Sequence, residues 1–387
     1  MTFLQVNVDF YDNHHKKLLM NYPSNNEIEH LVRKPTKISK SEFLTYLLFT
    51  EQRESEGFRT FDELRKKVDS RLGYISDYLN IGEGTIKAIH TAKETPNEIT
   101  ARVGVSVSLC LVNKIHNMTE ADWERIPIDN RKVLDFQIAT TDSLYIFVES
   151  KGTILKNNNY RTELSGKAKH VKEKKDENKN IIKRGIAYGI ITSIDQKNIT
   201  QSWLLDPPAI DLPFSPKKYR LLSRMYFYWK NLKIISPKSE FLFSLINRIK
   251  VLEKQNDYEI FNSFPLFNSE GEEILVYDNY LGYSAHTYIN NQLIIGRLII
   301  YEDKIFFFGF SREVFFILAK QDFDEIINYN LLSKIEEVNI MAKINKNELN
   351  INSSIKQFIK HEEKKYYQIE LKTDVYCTSS GRVFGFI

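Results

Sequence analysis

Leu144-Tyr145-Ile146-Phe147-Val148 is an unbroken apolar run that stops abruptly at Glu149-Ser150-Lys151-Gly152, and it restricts the fold more than any other stretch. A short run of aliphatic, aromatic and β-branched residues bounded by turn formers reads as a strand built for a core. Before it stands "VLDFQIA", and between the two lies a tight connection at Thr140 to Asp142. Together they predict an antiparallel β-hairpin. Centred on Asp142, that hairpin sets Asp135 opposite Glu149, on the same face of the sheet. Side chains alternate along a strand, so Glu149 and Lys151 share this face while Leu144, Ile146 and Val148 enter the opposite layer. A slip of one residue would move Asp135 to the wrong face.

Three converging charges imply chemistry. Two carboxylates side by side repel each other and are costly unless a cation sits between them. Hard oxygen donors suit Mg²⁺, with Mn²⁺ as its substitute, and Mg²⁺ takes one or two protein carboxylates while keeping several waters. Such an ion activates water and neutralises charge on the scissile phosphate of a phosphodiester. A neighbouring lysine stabilises the pentavalent phosphate or helps deprotonate the water.

An aspartate, a spacer, and then Glu-x-Lys after a hydrophobic strand resembles the PD-(D/E)xK, restriction-endonuclease-like nuclease superfamily. The motif stands here as Asp135, then Glu149-Ser150-Lys151, with Leu134 where the family frequently has proline. The resemblance covers about 95–205, roughly a third of the chain. It implies an α+β or α/β fold with a central mixed sheet flanked by helices. It also implies Asp135 and Glu149 as Mg²⁺ ligands and Lys151 as the catalytic lysine. The family commonly carries an acidic residue on the helix before the first core strand, and Glu98 is the match. In "PNEITARVGVSVSLCLVNKIHNM" the residues Val103, Val105, Val107, Leu109 and Leu111 alternate like a strand. Ile99, Val103, Val107, Cys110 and Leu111 equally mark a helical face, so periodicity leaves both readings open. The resemblance favours the helix.

At 387 residues the chain suits two or three domains. Residues 1–92 read as a mostly helical region after a strand-like start, whose best helix is "TFDELRKKVDSRLGYISDYLN", opened by a Thr60–Glu63 capping pattern. Residues 93–210 hold the nuclease-like domain, with a further buried strand at "GIAYGIITSI". Four prolines between Pro207 and Pro216 mark a boundary. Residues 211–387 read as an α+β domain serving target recognition, partner binding or dimerisation. Its helices fall at "PKKYRLLSRMYFYWKNLK" and "SEFLFSLINRIKVLEK", and its strand pairs at "QLIIGRLIIYEDKIFFFGF" and "YYQIELKTDVYCTSSGRVFGFI".

The net charge of +4 permits a polyanionic partner without demanding one. Lys167, Lys169, Lys172, Lys174 and Lys175 concentrate positive charge between Arg161 and Arg184. Such a run is either a solvated helix face or an element that grips nucleic-acid phosphates without reading sequence. Several classes are excluded. Histidines and cysteines have no zinc-ligand spacing. There is no G-x-S-x-G elbow, and Gly166-Lys167-Ala168 is not a Walker A loop. The two distant cysteines, the start of the chain and the lack of an 18-residue apolar stretch fit a soluble protein of the reducing cytoplasm. The resemblance implies a Mg²⁺-dependent endonuclease acting on DNA, and a nuclease domain with large flanking regions resembles the effectors of prokaryotic antiviral defence or restriction. Further partners of such a nuclease would be a second copy of the chain or a defence-system protein. The rival expectation is a non-catalytic module that keeps the nuclease fold to bind nucleic acid or protein.

Overall fold

A computed structural model describes residues 2–50, 60–82, 84–123, 137–155, 160–171, 185–196, 198–207, 209, 215–256, 259, 262, 265–266, 283–301, 304–346 and 357–386. The chain divides into two compact units. Residues 1–52 and 68–223 form the first, and 53–67 with 224–387 form the second.

The elements of the first unit begin with strand β1 (Phe3–Phe10), helices α1 (Asn13–Leu19) and α2 (Asn25–Val32), strand β2 (Thr36–Ser39) and helix α3 (Lys40–Phe49). Helix α4 (Phe61–Tyr78), the hairpin β3 (Leu79–Gly82) and β4 (Thr85–Ala88), and helix α5 (Asn97–His116) follow. Then come β5 (Gln137–Thr140), β6 (Tyr145–Thr153), α6 (Tyr160–His170), β7 (Gly185–Ser193), β8 (Thr200–Leu205) and α7 (Pro216–Ile235). The division between units falls inside α4 and α7.

Six strands build a mixed sheet in the order β2-β1-β8-β7-β6-β5. β6 and β7 are parallel, as are β1 and β8, and the remaining neighbours are antiparallel. Every residue of β7 is buried, as expected of a strand covered on both faces. The N-terminal region expected to stand apart over 1–92 contributes β1 and β2 to this same sheet, because Val6 to Phe10 pair in parallel with Thr200 to Leu204. The proline-rich boundary is likewise not where the units divide, which is within α7.

The segment with two readings is helix α5. Its contact with β6 is tight enough to require glycine on both sides: a Cβ on Gly104 would lie 2.6 Å from the Gly152 nitrogen. One layer out, Asn113 donates to the Tyr46 hydroxyl of α3 at 2.6 Å and accepts from the Trp123 indole at 2.7 Å.

The second unit continues with α8 (Glu240–Lys254), β9 (Tyr283–Ile289), β10 (Gln292–Tyr301), β11 (Lys304–Ser311), α9 (Arg312–Lys320) and α10 (Phe323–Asn328). β12 (Lys334–Asn345), β13 (Ile359–Glu362), β14 (Tyr366–Cys377) and β15 (Arg382–Phe386) complete it. Strands β12-β9-β10-β11-β15-β14 run antiparallel in that order, and a β12–β14 pairing closes them into a barrel. Leu298, Phe307, Ile340, Leu371 and Val375 fill its interior. Arg382 lies over the rings of Phe227 (4.9 Å) and Phe308 (5.6 Å) and donates to Asn231, so a buried guanidinium is both stacked and hydrogen-bonded. The aromatic residues Phe227, Tyr228, Phe306, Phe307 and Phe308 are accordingly core. Among the described residues no helix is long and apolar enough to cross a membrane.

Candidate active site

The hairpin forms with a register one residue away from the expected one. Centring on Asp142 would pair Gln137 with Phe147, but Gln137 pairs with Val148 and Thr140 with Tyr145. The turn explains the shift. Thr141 N–H donates to the Leu144 carbonyl at 2.9 Å, and the Thr141 hydroxyl accepts from the Leu144 N–H at 3.0 Å. The connection is therefore the two residues Asp142-Ser143, and its centre lies after Asp142. Asp135 and its expected partnership with Glu149 lie outside the described residues.

Glu149 and Lys151 do share a face. Their side chains approach to 3.5 Å, with Glu149 only 3% exposed and Lys151 half-buried. The face is set by their neighbours on β7. Glu149 pairs with Gly189, where a Cβ would meet the Val171 side chain at 2.6 Å. Lys151 pairs with Ile191, which packs with Leu164, Ala168 and Val171. Both charged groups therefore lie on the sheet face that α6 covers. Gly189 gives its place beside Glu149 to the Val171 side chain.

Gly152 points the other way, into α5, where a Cβ would stand 1.6 Å from the Thr100 carbonyl oxygen. Glu98, in the first turn of α5, ion-pairs with Arg102 at 3.0 Å, and Arg102 also donates to the Thr50 carbonyl at 3.4 Å. Of the predicted basic residues, Lys167 is half-buried and Lys169 exposed on α6. Lys172, Lys174 and Lys175 lie outside the described residues. Among the described residues no group of three or more His, Cys, Asp or Glu side chains converges as a metal site.

Two further clusters surround the hairpin and carry no local sequence signal. Arg220 of α7 is buried and bridges two carboxylates, Asp122 at 3.1 Å and the turn residue Asp142 at 3.0 Å. At the other side of the sheet, the Tyr22 hydroxyl lies 2.5 Å from Asp206 Oδ1 and accepts from the Ala187 N–H at 3.3 Å. Tyr22 thus satisfies β7 where β8 has ended. Burial and the Asp206 carboxylate push the Tyr22 hydroxyl well above its ordinary pKa, so it stays protonated. Tyr188 links the same region to Ser24 at 3.0 Å and to His116 at 2.8 Å. Alternation cannot reveal contacts between residues so far apart in the chain.

A cleft of about 440 Å³ is lined by Asp9, Phe10, Asp12, Asn13, Lys16 and Val32. Asp9 stands in the row Lys151–Ile191–Trp203–Asp9, three strands from Lys151, so the cleft is separate from the Glu149–Lys151 pair. Comparisons with family models, curated proteins and solved structures give no match for this chain.

Proposed function

We propose that the first unit is a Mg²⁺-dependent nuclease of the restriction-endonuclease-like type, acting on DNA, with Mn²⁺ able to replace Mg²⁺. The supporting observation is the Glu149–Lys151 pair, 3.5 Å apart on one face of β6, the strand next to the edge of a mixed sheet. The order α5-β5-β6-α6-β7-β8, with β6 parallel to β7, agrees with a helix-flanked core of that kind. In this reading the Glu149 carboxylate would hold the metal ion, and Asp135 would join it only where the hairpin regains the expected register before Gln137. Bound there, Mg²⁺ would lower the pKa of a water and offset charge on the phosphodiester. Lys151 would place its ammonium against the phosphate oxygens as negative charge grows, the kind of electrostatic aid that is strongest in a partly dry site. Glu98, on the face that α5 covers and ion-paired with Arg102, would assist only by reaching round the end of the strand. Lys167 and Lys169, with Lys172, Lys174 and Lys175, would hold the backbone beside the α6 face. A nuclease unit joined to a large second unit suits an effector of prokaryotic antiviral defence or restriction. That role rests on architecture alone.

The burial of Glu149 favours a second reading, a non-catalytic nucleic-acid- or protein-binding module in which Glu149 and Lys151 are a structural pair. One experiment separates the two. Plasmid DNA, linear DNA and RNA are incubated with the protein in Mg²⁺, Mn²⁺ or EDTA, alongside Lys151→Ala and Glu149→Ala. Metal-dependent cutting that disappears in both variants while their folds persist supports the nuclease. Binding that survives both changes, but is lost on reversing Lys167 and Lys169 to Glu, with no cutting by any form, supports the module.

A further inference from the structure

Helix α8 of the barrel-containing unit buries Phe241, Leu242, Leu245, Ile249 and Leu252 on one face. The opposite face of a helix so anchored is ordinarily polar. Here it carries Phe243, 73% exposed, and Val251, 41% exposed. Glu240, Asn247 and Lys254 are exposed on the same side. At 3.6 residues per turn, positions 240, 243, 247, 251 and 254 fall within an arc of about 80°. The stripe therefore reads Glu, Phe, Asn, Val, Lys from one end of the helix to the other.

That order is complementary to its own reversal. Laid antiparallel on a second α8 with Asn247 against Asn247, the stripe sets Phe243 against Val251 of the other copy. The same register brings Glu240 to Lys254, at both ends of the contact. The acidic residue lies in the first turn and the basic residue in the last, so each also complements its own helix dipole, and the two antiparallel dipoles attract. A central Asn pair in an otherwise apolar seam fixes register, because any shift strands an amide against a hydrocarbon. A two-fold contact requires this kind of self-complementary patch.

We propose that the exposed face of α8 is a homodimer interface, with a second copy of this chain as its occupant. The proposal does not depend on the nuclease reading. A single pair of helices about 22 Å long covers less than the ~800 Å² per partner of a standard stable interface. The dimer is accordingly a concentration-dependent one, in the micromolar range.

Sedimentation velocity of the full chain across the micromolar range tests it. The expected result is a weight-average mass that rises toward twice that of one chain. Phe243→Asp, a change at an exposed site, holds the protein monomeric. Lys254→Glu weakens association about tenfold by setting like charges together at both ends, and Glu240→Lys combined with Lys254→Glu restores it. Asn247→Cys sits on the two-fold axis and forms an intermolecular disulfide on mild oxidation, whereas Lys320→Cys does not. The native Cys110 and Cys377 are buried and do not compete. A mass that stays at one chain throughout would overturn the proposal. So would a dimer indifferent to Phe243→Asp, or Asn247→Cys cross-linking no faster than Lys320→Cys.

Discussion

Gly152 and Thr100 meet backbone to backbone, so closely that a Cβ at Gly152 would stand 1.6 Å from the Thr100 carbonyl oxygen. This contact fixes the height of α5 above β6 one residue after Lys151. The obstructing atoms are helix backbone and cannot rotate away, so Gly152→Ala forces the helix off the sheet. The expected loss is about 3 kcal/mol or more, at the upper end for overpacking, read from the urea midpoint. An unchanged midpoint would mean that α5 rides farther from β6 than described.

Gly166 supplies the opposite case. It lies inside α6 with nothing within 4 Å of its would-be Cβ. Gly166→Ala removes only the entropic penalty of glycine and should stabilise by about 0.5–1 kcal/mol. The two alanine substitutions should therefore shift the midpoint in opposite directions.

These glycines also show what the sequence could and could not reveal. β6 and β7 were legible because short apolar runs with sharp ends have few other uses. α5 was ambiguous because it is buried nearly all round, by the sheet on one side and α3 on the other, which erases the amphipathic stripe. The β1–β8 pairing was not legible, since parallel partners so far apart leave no local trace. In the candidate site, the Glu149–Lys151 face followed from alternation alone. The register did not, because it turned on whether Asp142 or the Asp142–Ser143 pair formed the turn.

Arg220 carries the next prediction. Asp122 is 1% exposed and lies 3.1 Å from Arg220, while Asp142 at the hairpin tip has a side chain 56% exposed. Arg220→Ala would remove a cation 3.1 Å from a buried carboxylate, which keeps the Thr119 N–H on its other oxygen, and should cost about 3 kcal/mol. Arg220→Lys should recover only part of this, since one ammonium cannot reproduce the forked contact with two carboxylates. Asp142→Asn should cost at most about 1 kcal/mol because water screens that arm. Equal losses for Arg220→Ala and Asp142→Asn in urea unfolding would contradict this ranking.

His116 makes stability depend on pH. Its Nε2 lies 2.8 Å from the Tyr188 hydroxyl, which is also 3.0 Å from Ser24, and burial lowers its pKa from 6.5 to about 4. His116 is therefore a neutral imidazole hydrogen-bonded to the Tyr188 hydroxyl. Its charged form is favoured more in the unfolded chain than in the fold, so the unfolded state binds the extra proton between these two values. Stability is then full above about pH 6.5 and falls as the pH drops toward about 4. The ceiling on this loss is about 3 kcal/mol, reduced by the partial exposure of the ring. Urea midpoints at pH 7.5, 6, 5 and 4, values chosen to bracket the histidine transition, should decline over that interval in the native protein. His116→Gln keeps a polar partner for Tyr188 but cannot titrate, so its midpoint should fall less steeply. Parallel declines would assign the acid sensitivity to other groups, with the Asp206 carboxylate beside Tyr22 the first to examine.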